Sequence, residues 1–471
     1  MLIFYITTRR FAQYSGGLGV NYTVVAALAI FAFTLVLMIK RPRGLRLGYA
    51  AGIGAAASLL LGTVTLGQAA QSFLDIWDAA LAFIGIVALS VTLDAMGFFK
   101  WAALRVVKLA GGSGLRLYFY VALLTAAVSI LFANDSAVLI LTPIVLEIVV
   151  CLGFSSDGKM AYLFSAGLIA DTAAMPLITS NPINILSADF FKYSFIDHLV
   201  FMGPVAVATI ASSLLLVYLF FRKKIPKTYD VSSVDELTLG KKPISRGLLK
   251  ISVATLVAID VGYVLTSLCR VPVSLVICSG AGFLIFVYWV SLRNAVSVNG
   301  EKKGLKRLAR EINWDIVLFM LSIFLVVEGL RNAGVVELLG SALLQSSALP
   351  SVLGIFVPSL VVTFGASFMN NWPMTILGLL SIRQVASTAA LGAPAFTGLV
   401  FSNVIGNNLG PHFFPLGSLA ILMWMETIRR KGVNISLKDY LKVGAVVSIV
   451  EVAVASLVLW AELSAGFTLS V

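Results

Sequence analysis

In FANDSAVLILTP, Phe132 to Pro143, an asparagine and an aspartate stand between two long apolar runs, and few folds tolerate that placement. The flanking runs, Leu117 to Leu131 and Ala137 to Val150, are each shorter than the roughly 20 helical residues that cross a hydrocarbon core of about 30 Å. A helical hairpin that enters a membrane and returns to the same side accommodates both runs and leaves its polar tip near mid-depth. Composition agrees: 59% of the 471 residues are hydrophobic and 12% charged, against about 25% charged in soluble domains, so the chain reads as an all-α polytopic membrane protein.

The motif has a second copy. FMNNWPMTILGL, Phe368 to Leu379, aligns Phe368, Asn370 and Asn371 with Phe132, Asn134 and Asp135 at a constant offset of 236 (370 − 134, 371 − 135). Each hairpin precedes an apolar segment interrupted by polar and helix-breaking residues, Leu168 to Phe191 and Val400 to Trp424, and the same offset pairs Asp171 with Asn407 (407 − 171). Interrupted helices in corresponding places of an internal repeat mark the binding site of a secondary transporter.

The formal charge of +12 falls mainly in short loops beside apolar segments, a membrane-topology pattern rather than a nucleic-acid surface. KRPRGLR (Lys40 to Arg46) places the end of a span at Tyr22 to Ile39 in the cytoplasm. Spans follow at Leu47 to Leu66 and Trp77 to Met96, an interfacial piece at Phe98 to Ala110, the hairpin at about 115–154, the first broken segment, a second interfacial piece near Asp189 to Leu199, and Phe201 to Phe221. Residues 222–247 form a basic cytoplasmic linker between repeats 1–221 and 248–471. The second half adds Leu248 to Leu268, Val271 to Leu292, Trp314 to Leu330, a hairpin at about 350–386 entering from outside, the second broken segment and Val443 to Leu463. The reading is about ten transmembrane helices plus two re-entrant hairpins in a 5 + 5 inverted repeat, with both termini outside. A twelve-span arrangement preserves the same flanking orientation and is the runner-up. The start of the chain lacks a signal-peptide pattern. Cys151, Cys269 and Cys278 have no metal or disulfide spacing.

Two inverted hairpins meeting two broken helices bring partial charges from helix ends into one cage. Its side chains are mostly amides and hydroxyls: Asn134, Ser136, Thr179, Ser180, Asn181, Asn184, Asn370, Asn371, Asn407, Asn408 and Ser418, with no Arg or Lys inside the four motifs. Amides that donate and accept suit a small neutral polyhydroxide; the alternative is that they satisfy helix ends. Asp135 and Asp171 are intramembrane carboxyls and candidates for carrying a proton, against a capping or structural role. Asp260 and Glu328 lie outside the motifs and read as structural, His412 as a satisfied or interface-facing imidazole, and His198 as interfacial.

FANDSAVLILTPIV, IADTAAMPLITSNPINILSADFF, YDVSSV, LVVEGLRNAG, FMNNWPMTILGLLSI and NVIGNNLGPHFFPLGSLAILMW together resemble the ArsB-type arsenite efflux transporters of the ion transporter superfamily, over nearly the whole chain. The resemblance implies a bacterial inner-membrane exporter of arsenite and antimonite in exchange for protons. On the residues' own chemistry, Asn134, Ser180, Asn181, Asn370, Asn371, Asn407 and Ser418 are the candidate substrate ligands and Asp135 and Asp171 the candidate proton carriers, which fits that role. The proton gradient is then the energy source and no cofactor is needed. Some such proteins associate with a soluble arsenite-stimulated ATPase; this chain has no P-loop of its own. Many members carry a Lys where this chain has His412, some carry an acid where it has Asn408, and smaller residues are common where it has Trp372. A silicic acid exporter, a sodium-coupled carboxylate transporter and a passive metalloid channel are the competing readings.

Overall fold

The computed structural model describes residues 22–230, 244–269, 271–294, 305–389 and 391–469, and among them every regular element is helical. The helices are α1 (Tyr22–Lys40), α2 (Leu47–Leu60), α3 (Leu66–Met96), α4 (Phe98–Ala110), α5 (Gly114–Phe132), α6 (Asn134–Cys151), α7 (Ser156–Thr172), α8 (Pro182–Phe191) and α9 (Phe195–Phe221). After the linker come α10 (Arg246–Leu268), α11 (Val273–Asn294), α12 (Leu305–Glu311), α13 (Trp314–Asn332), α14 (Val335–Ser347), α15 (Leu353–Met369), α16 (Asn371–Thr388), α17 (Ala393–Phe413), α18 (Leu419–Arg430) and α19 (Leu437–Ser464). Half of the linker, residues 231–243, lies outside the described residues.

Eight described helices are long and apolar enough to cross a membrane, or nine if α13 and α14, bent by 80°, make one span. Local signals explain where the sequence reading of single spans shifts. The second span is 14 residues rather than 20, because Gly62 turns at φ 69° and Thr65 then opens α3 with a capping box: its hydroxyl accepts from the Gln68 amide (3.2 Å) while Gln68 Oε1 accepts from the Thr65 amide (2.9 Å). α3 therefore starts 11 residues before Trp77 and runs for 31 residues. The stretch Asp189 to Leu199 is not a separate interfacial piece. Lys192 turns at φ 58° and joins α8 to α9.

The helices of the first hairpin, 19 and 18 residues, extend past the apolar runs into Gly114 to Arg116 and Asn134 to Ser136, so each passes the length test for a span. Length therefore does not separate a hairpin from two crossings. At the tip one residue, Ala133, joins the helices, and Asn134, Asp135 and Ser136 are 4%, 7% and 5% exposed. The connection is enclosed by protein, the condition that a re-entrant hairpin requires of its non-helical backbone.

The two halves repeat with a backbone period of 237, not 236. The αL joints fall at Gly97 and Gly334 (φ 83° and 82°), the second hairpin helices begin at Asn134 and Asn371, the 3₁₀ turns begin at Ile178 and Pro415, and the caps after them are Asn181 and Ser418, each pair 237 apart (334 − 97, 371 − 134, 415 − 178, 418 − 181). In this register Asn134 corresponds to Asn371, Asp135 to Trp372 and Asp171 to Asn408. The sequence alignment was drawn to the matching Phe and Asn letters; the chain turns one residue later. The period also exposes α14 as the counterpart of α4, an element that the apolar pattern alone does not separate from its neighbours.

Packing crosses between halves. α3 lies along α11 and α13 along α2, the most extensive contacts between the halves. Small residues allow the approach: a Cβ on Gly85 of α3 would come 2.9 Å from Ile277 of α11. At the far side α9 packs on α19, and α7 touches α17 between them.

Candidate functional site

Both hairpins turn on one residue with a backbone that glycine adopts far more readily than other residues, Ala133 (φ 65°, ψ 154°) and Asn370 (φ 81°, ψ 149°). Neighbours hold each turn in place. In the first half Ser129 Oγ donates to the Ala170 carbonyl, Ser180 Oγ to the Ile130 carbonyl (2.8 Å), and Asn134 Nδ2 to Asp171 Oδ1 (2.7 Å). In the second, Ser367 Oγ donates to the Gly410 carbonyl (2.7 Å) and Asn370 Nδ2 to the Leu416 carbonyl (3.2 Å). Each tip is thus tied to the broken helix of its own half.

The broken helices stop at Thr172 and Phe413 and restart after 3₁₀ turns at Pro182 and Leu419. Asn181 Oδ1 accepts from the Ile183 amide (3.3 Å) and Ser418 Oγ from the Ile421 amide (3.4 Å), capping α8 and α18. Across the halves, Asn181 Nδ2 donates to Asn408 Oδ1 (2.9 Å) and Asn408 Nδ2 to Asn184 Oδ1 (3.0 Å), while Asn184 Nδ2 reaches the Ala174 carbonyl (2.8 Å) in the first break. One buried amide cluster therefore joins both broken helices. Four helix N-termini (α6, α8, α16 and α18) begin at buried residues of this region, and that of α6 has no side-chain cap from Ala133.

The nine residues singled out in the sequence are all buried in these motifs. Asn181, Asn370 and Ser418 are helix caps, Asn370 Oδ1 accepting from the Trp372 amide (3.2 Å). Ser180 secures the first tip. Asn134 is committed to Asp171. Among the described residues, Asn371 Oδ1 and Asn407 Oδ1, whose Nδ2 donates to Asn403 Oδ1 (2.9 Å), have no hydrogen-bond partner, and Asp171 Oδ2 makes none of standard geometry, with the Ser418 hydroxyl close to the carboxyl. Asp135, in the first turn of α6, faces Asp171. In the second half Asn408, the counterpart of Asp171, is turned to Asn181 and Asn184; the Asp135 amide donates to Asn134 Oδ1 (2.9 Å) but the Trp372 amide donates to Asn370, so the Asn371 carbonyl stays open. Trp372, where the first half has Asp135, is buried in an apolar cluster with Ile183, Leu186 and Leu419. One tip carries acid and the other hydrocarbon.

The expectation that His198 is interfacial is overturned, and of the two readings of His412 the satisfied imidazole holds. His198 is not interfacial: it is fully buried, its Nε2 donating to the Met175 carbonyl (2.8 Å) and its Nδ1 accepting from Tyr193 Oη (3.2 Å), which pins the first break. His412 does not face an interface. Its Nδ1 donates to Glu451 Oε2 at 2.7 Å with both side chains fully buried, and Thr172 Oγ1 donates to Glu451 Oε1 at 2.7 Å. The sequence reading passed over Glu451, although it is an acid in the last apolar run, the signal that had picked out Asp135.

The profile of the family described as "Arsenical pump membrane protein" matches residues 26–462. An arsenical pump membrane protein of Escherichia coli is 38% identical over 426 residues, covering 90% of this chain and 96% of the relative. One from Yersinia enterocolitica is 38% identical over 430 residues with the same coverage. Among solved structures, the YdaH transporter of Alcanivorax borkumensis, described as having an unusual topology, aligns with a TM-score of 0.53 at 14% identity, over 85% of this chain and 88% of that one.

Proposed function

The chain belongs to the arsenical pump membrane protein family, and from that premise we propose that it exports arsenite and antimonite across the bacterial inner membrane in exchange for protons. The observation that carries the reading is the buried cluster at the two tips and two breaks, built from amides, hydroxyls and the carboxyls Asp135 and Asp171. Arsenite near neutral pH is mostly the uncharged trihydroxide, which both gives and takes hydrogen bonds. It needs acceptors such as Asn371 Oδ1 and Asn407 Oδ1 and the donor end of a helix rather than a guanidinium. Asn134, Ser180, Asn181, Asn370 and Ser418 set the cage that these groups line. Asp135 and Asp171 are the groups to which proton exchange is assigned.

The reading carries with it ten crossings and two re-entrant hairpins in an inverted repeat of 1–221 and 248–471, a cytoplasmic linker and both termini outside. Energy then comes from the proton gradient, and ATP enters only through a soluble ATPase partner.

The test is arsenite uptake into inside-out vesicles under an imposed pH gradient. Wild type should accumulate arsenite. Asp135→Asn or Asp171→Asn should abolish accumulation while arsenite still equilibrates, and that identifies the coupling carboxyl. Absence of arsenite flux in wild type under any gradient overturns the substrate and favours a silicic acid exporter or, with sodium dependence, a carboxylate transporter. Flux indifferent to the gradient makes the protein a channel.

A further inference from the structure

His412, Glu451 and Thr172 form a chain of buried side chains that the amide cage does not require. Glu451 accepts from both neighbours, one on each oxygen, as a carboxylate does. With Nδ1–H given to Glu451, the second ring nitrogen, Nε2, is left to take a proton: among the described residues no hydrogen bond of standard geometry reaches it, and the Leu168 carbonyl lies by the ring as a backbone acceptor for it. The titratable groups facing the pair are Asp171 from α7 and Tyr440 from α19, whose hydroxyl donates to the Pro411 carbonyl (3.0 Å). Ser448 of α19 donates to the Leu409 carbonyl (2.8 Å), and Ser213 of α9 lies 3.4 Å from Thr172 Oγ1. Asp171, adjacent to Thr172 in sequence, holds the Asn134 amide at the first tip. The pair therefore touches α7, α17 and α19 at once and reaches the substrate cage through a single carboxyl.

We propose that His412 and Glu451 hold the exchanged proton, with Asp171 as the group that relates their charge state to the first hairpin tip. This rests on the proton-exchange reading above and moves the proton from the tip to the pair. The proton adds to the Nε2 lone pair and leaves from it, with no other bond made or broken. Before it binds, imidazole and carboxylate together carry one negative charge; afterwards they form a neutral ion pair, far less costly to keep out of water than a lone charge. An imidazolium beside Asp171 favours the ionised carboxylate that accepts from Asn134, and an empty imidazole withdraws that support. Occupancy of the pair is thereby felt at the tip.

The experiment uses the full chain in proteoliposomes, with arsenite exchange in the absence of a gradient and gradient-driven accumulation as a function of pH measured side by side. His412→Gln should lower accumulation relative to exchange about tenfold per unit of pH gradient, the ratio that one exchanged proton sustains. Glu451→Gln, which removes the counter-charge but keeps a hydrogen-bonding oxygen, should move the pH midpoint of accumulation down by about one unit. A purely structural pair would reduce both readouts together and leave the midpoint in place. Wild-type accumulation in His412→Gln, or a Glu451→Gln profile that superimposes on wild type, overturns the proposal. If His412→Gln loses exchange as well, the Glu451→Gln midpoint decides, and loss of exchange in both variants also overturns it, since a coupling group is separable from the substrate path. Wild type without any gradient dependence sinks proton exchange itself, an outcome distinct from either variant behaving as wild type.

Discussion

Ala133 and Asn370 carry the same awkward backbone with different support, and that difference is measurable. At Ala133 the turn strains a Cβ and gains nothing from the side chain, whereas Asn370 caps α16 and bonds the Leu416 carbonyl. Strain of this kind costs about 1–3 kcal/mol and a glycine returns about 0.5–1 through the unfolded chain. Ala133→Gly should therefore raise stability by about 1 kcal/mol. Asn370→Gly should gain nothing, because a cap and a hydrogen bond of about 1 kcal/mol are lost. Thermal unfolding of the two purified variants checks the contrast; an equal gain in both would show that the Asn370 side chain contributes nothing. At this scale the sequence was informative about chemistry and less so about commitment. It found the amides of the cluster except Asn403, which is fully buried and accepts from Asn407, but which of them cap helices and which stay open depends on backbone angles at 133 and 370 that no residue type announces. Glu451 escaped notice because it stands alone among Val and Ala, 27 positions beyond the last motif (451 − 424), and its meaning comes only from His412 across the helix contact.

Among elements, the glycine joints show why the repeat is visible in the backbone before it is visible in the letters. Gly97 and Gly334 both turn at φ near 83° and let a long helix pass into a short one. Beside Gly334 a Cβ would meet only the Glu337 carboxylate, at 3.8 Å, so replacement there strains the backbone alone. Gly334→Ala should cost about 1–2 kcal/mol in a melting experiment, the penalty for a side chain in the left-handed region. No change would mean that the joint relaxes out of that conformation. Helix ends with capping residues, at Thr65, Ser155 and Ser194, lay within reach of the sequence. The one-residue error in the repeat came from matching Phe132 with Phe368, since identical side chains at a tip say nothing about which peptide unit bends.

For the whole molecule, the exchange of long helices between halves makes neither half complete. α3 without α11 exposes the groove around Gly85, and α13 without α2 exposes the surface that a Cβ on Gly54 would meet at Val326, 3.1 Å away. Fragments 1–230 and 244–471 expressed together should restore arsenite resistance to a sensitive bacterium, while either alone should not; resistance from one fragment would mean that a half folds and transports by itself.

The same crossed packing imposes a delay during synthesis. α3 ends at Met96 and its groove in α11 begins at Val273, so 177 residues (273 − 96) must be added before the two can meet. At about 5–20 residues per second that is roughly 9–35 s in which a 31-residue helix, already made, lacks its most extensive partner. The first half must wait in the bilayer, shielded by lipid or by the insertion machinery, until the second arrives to close it.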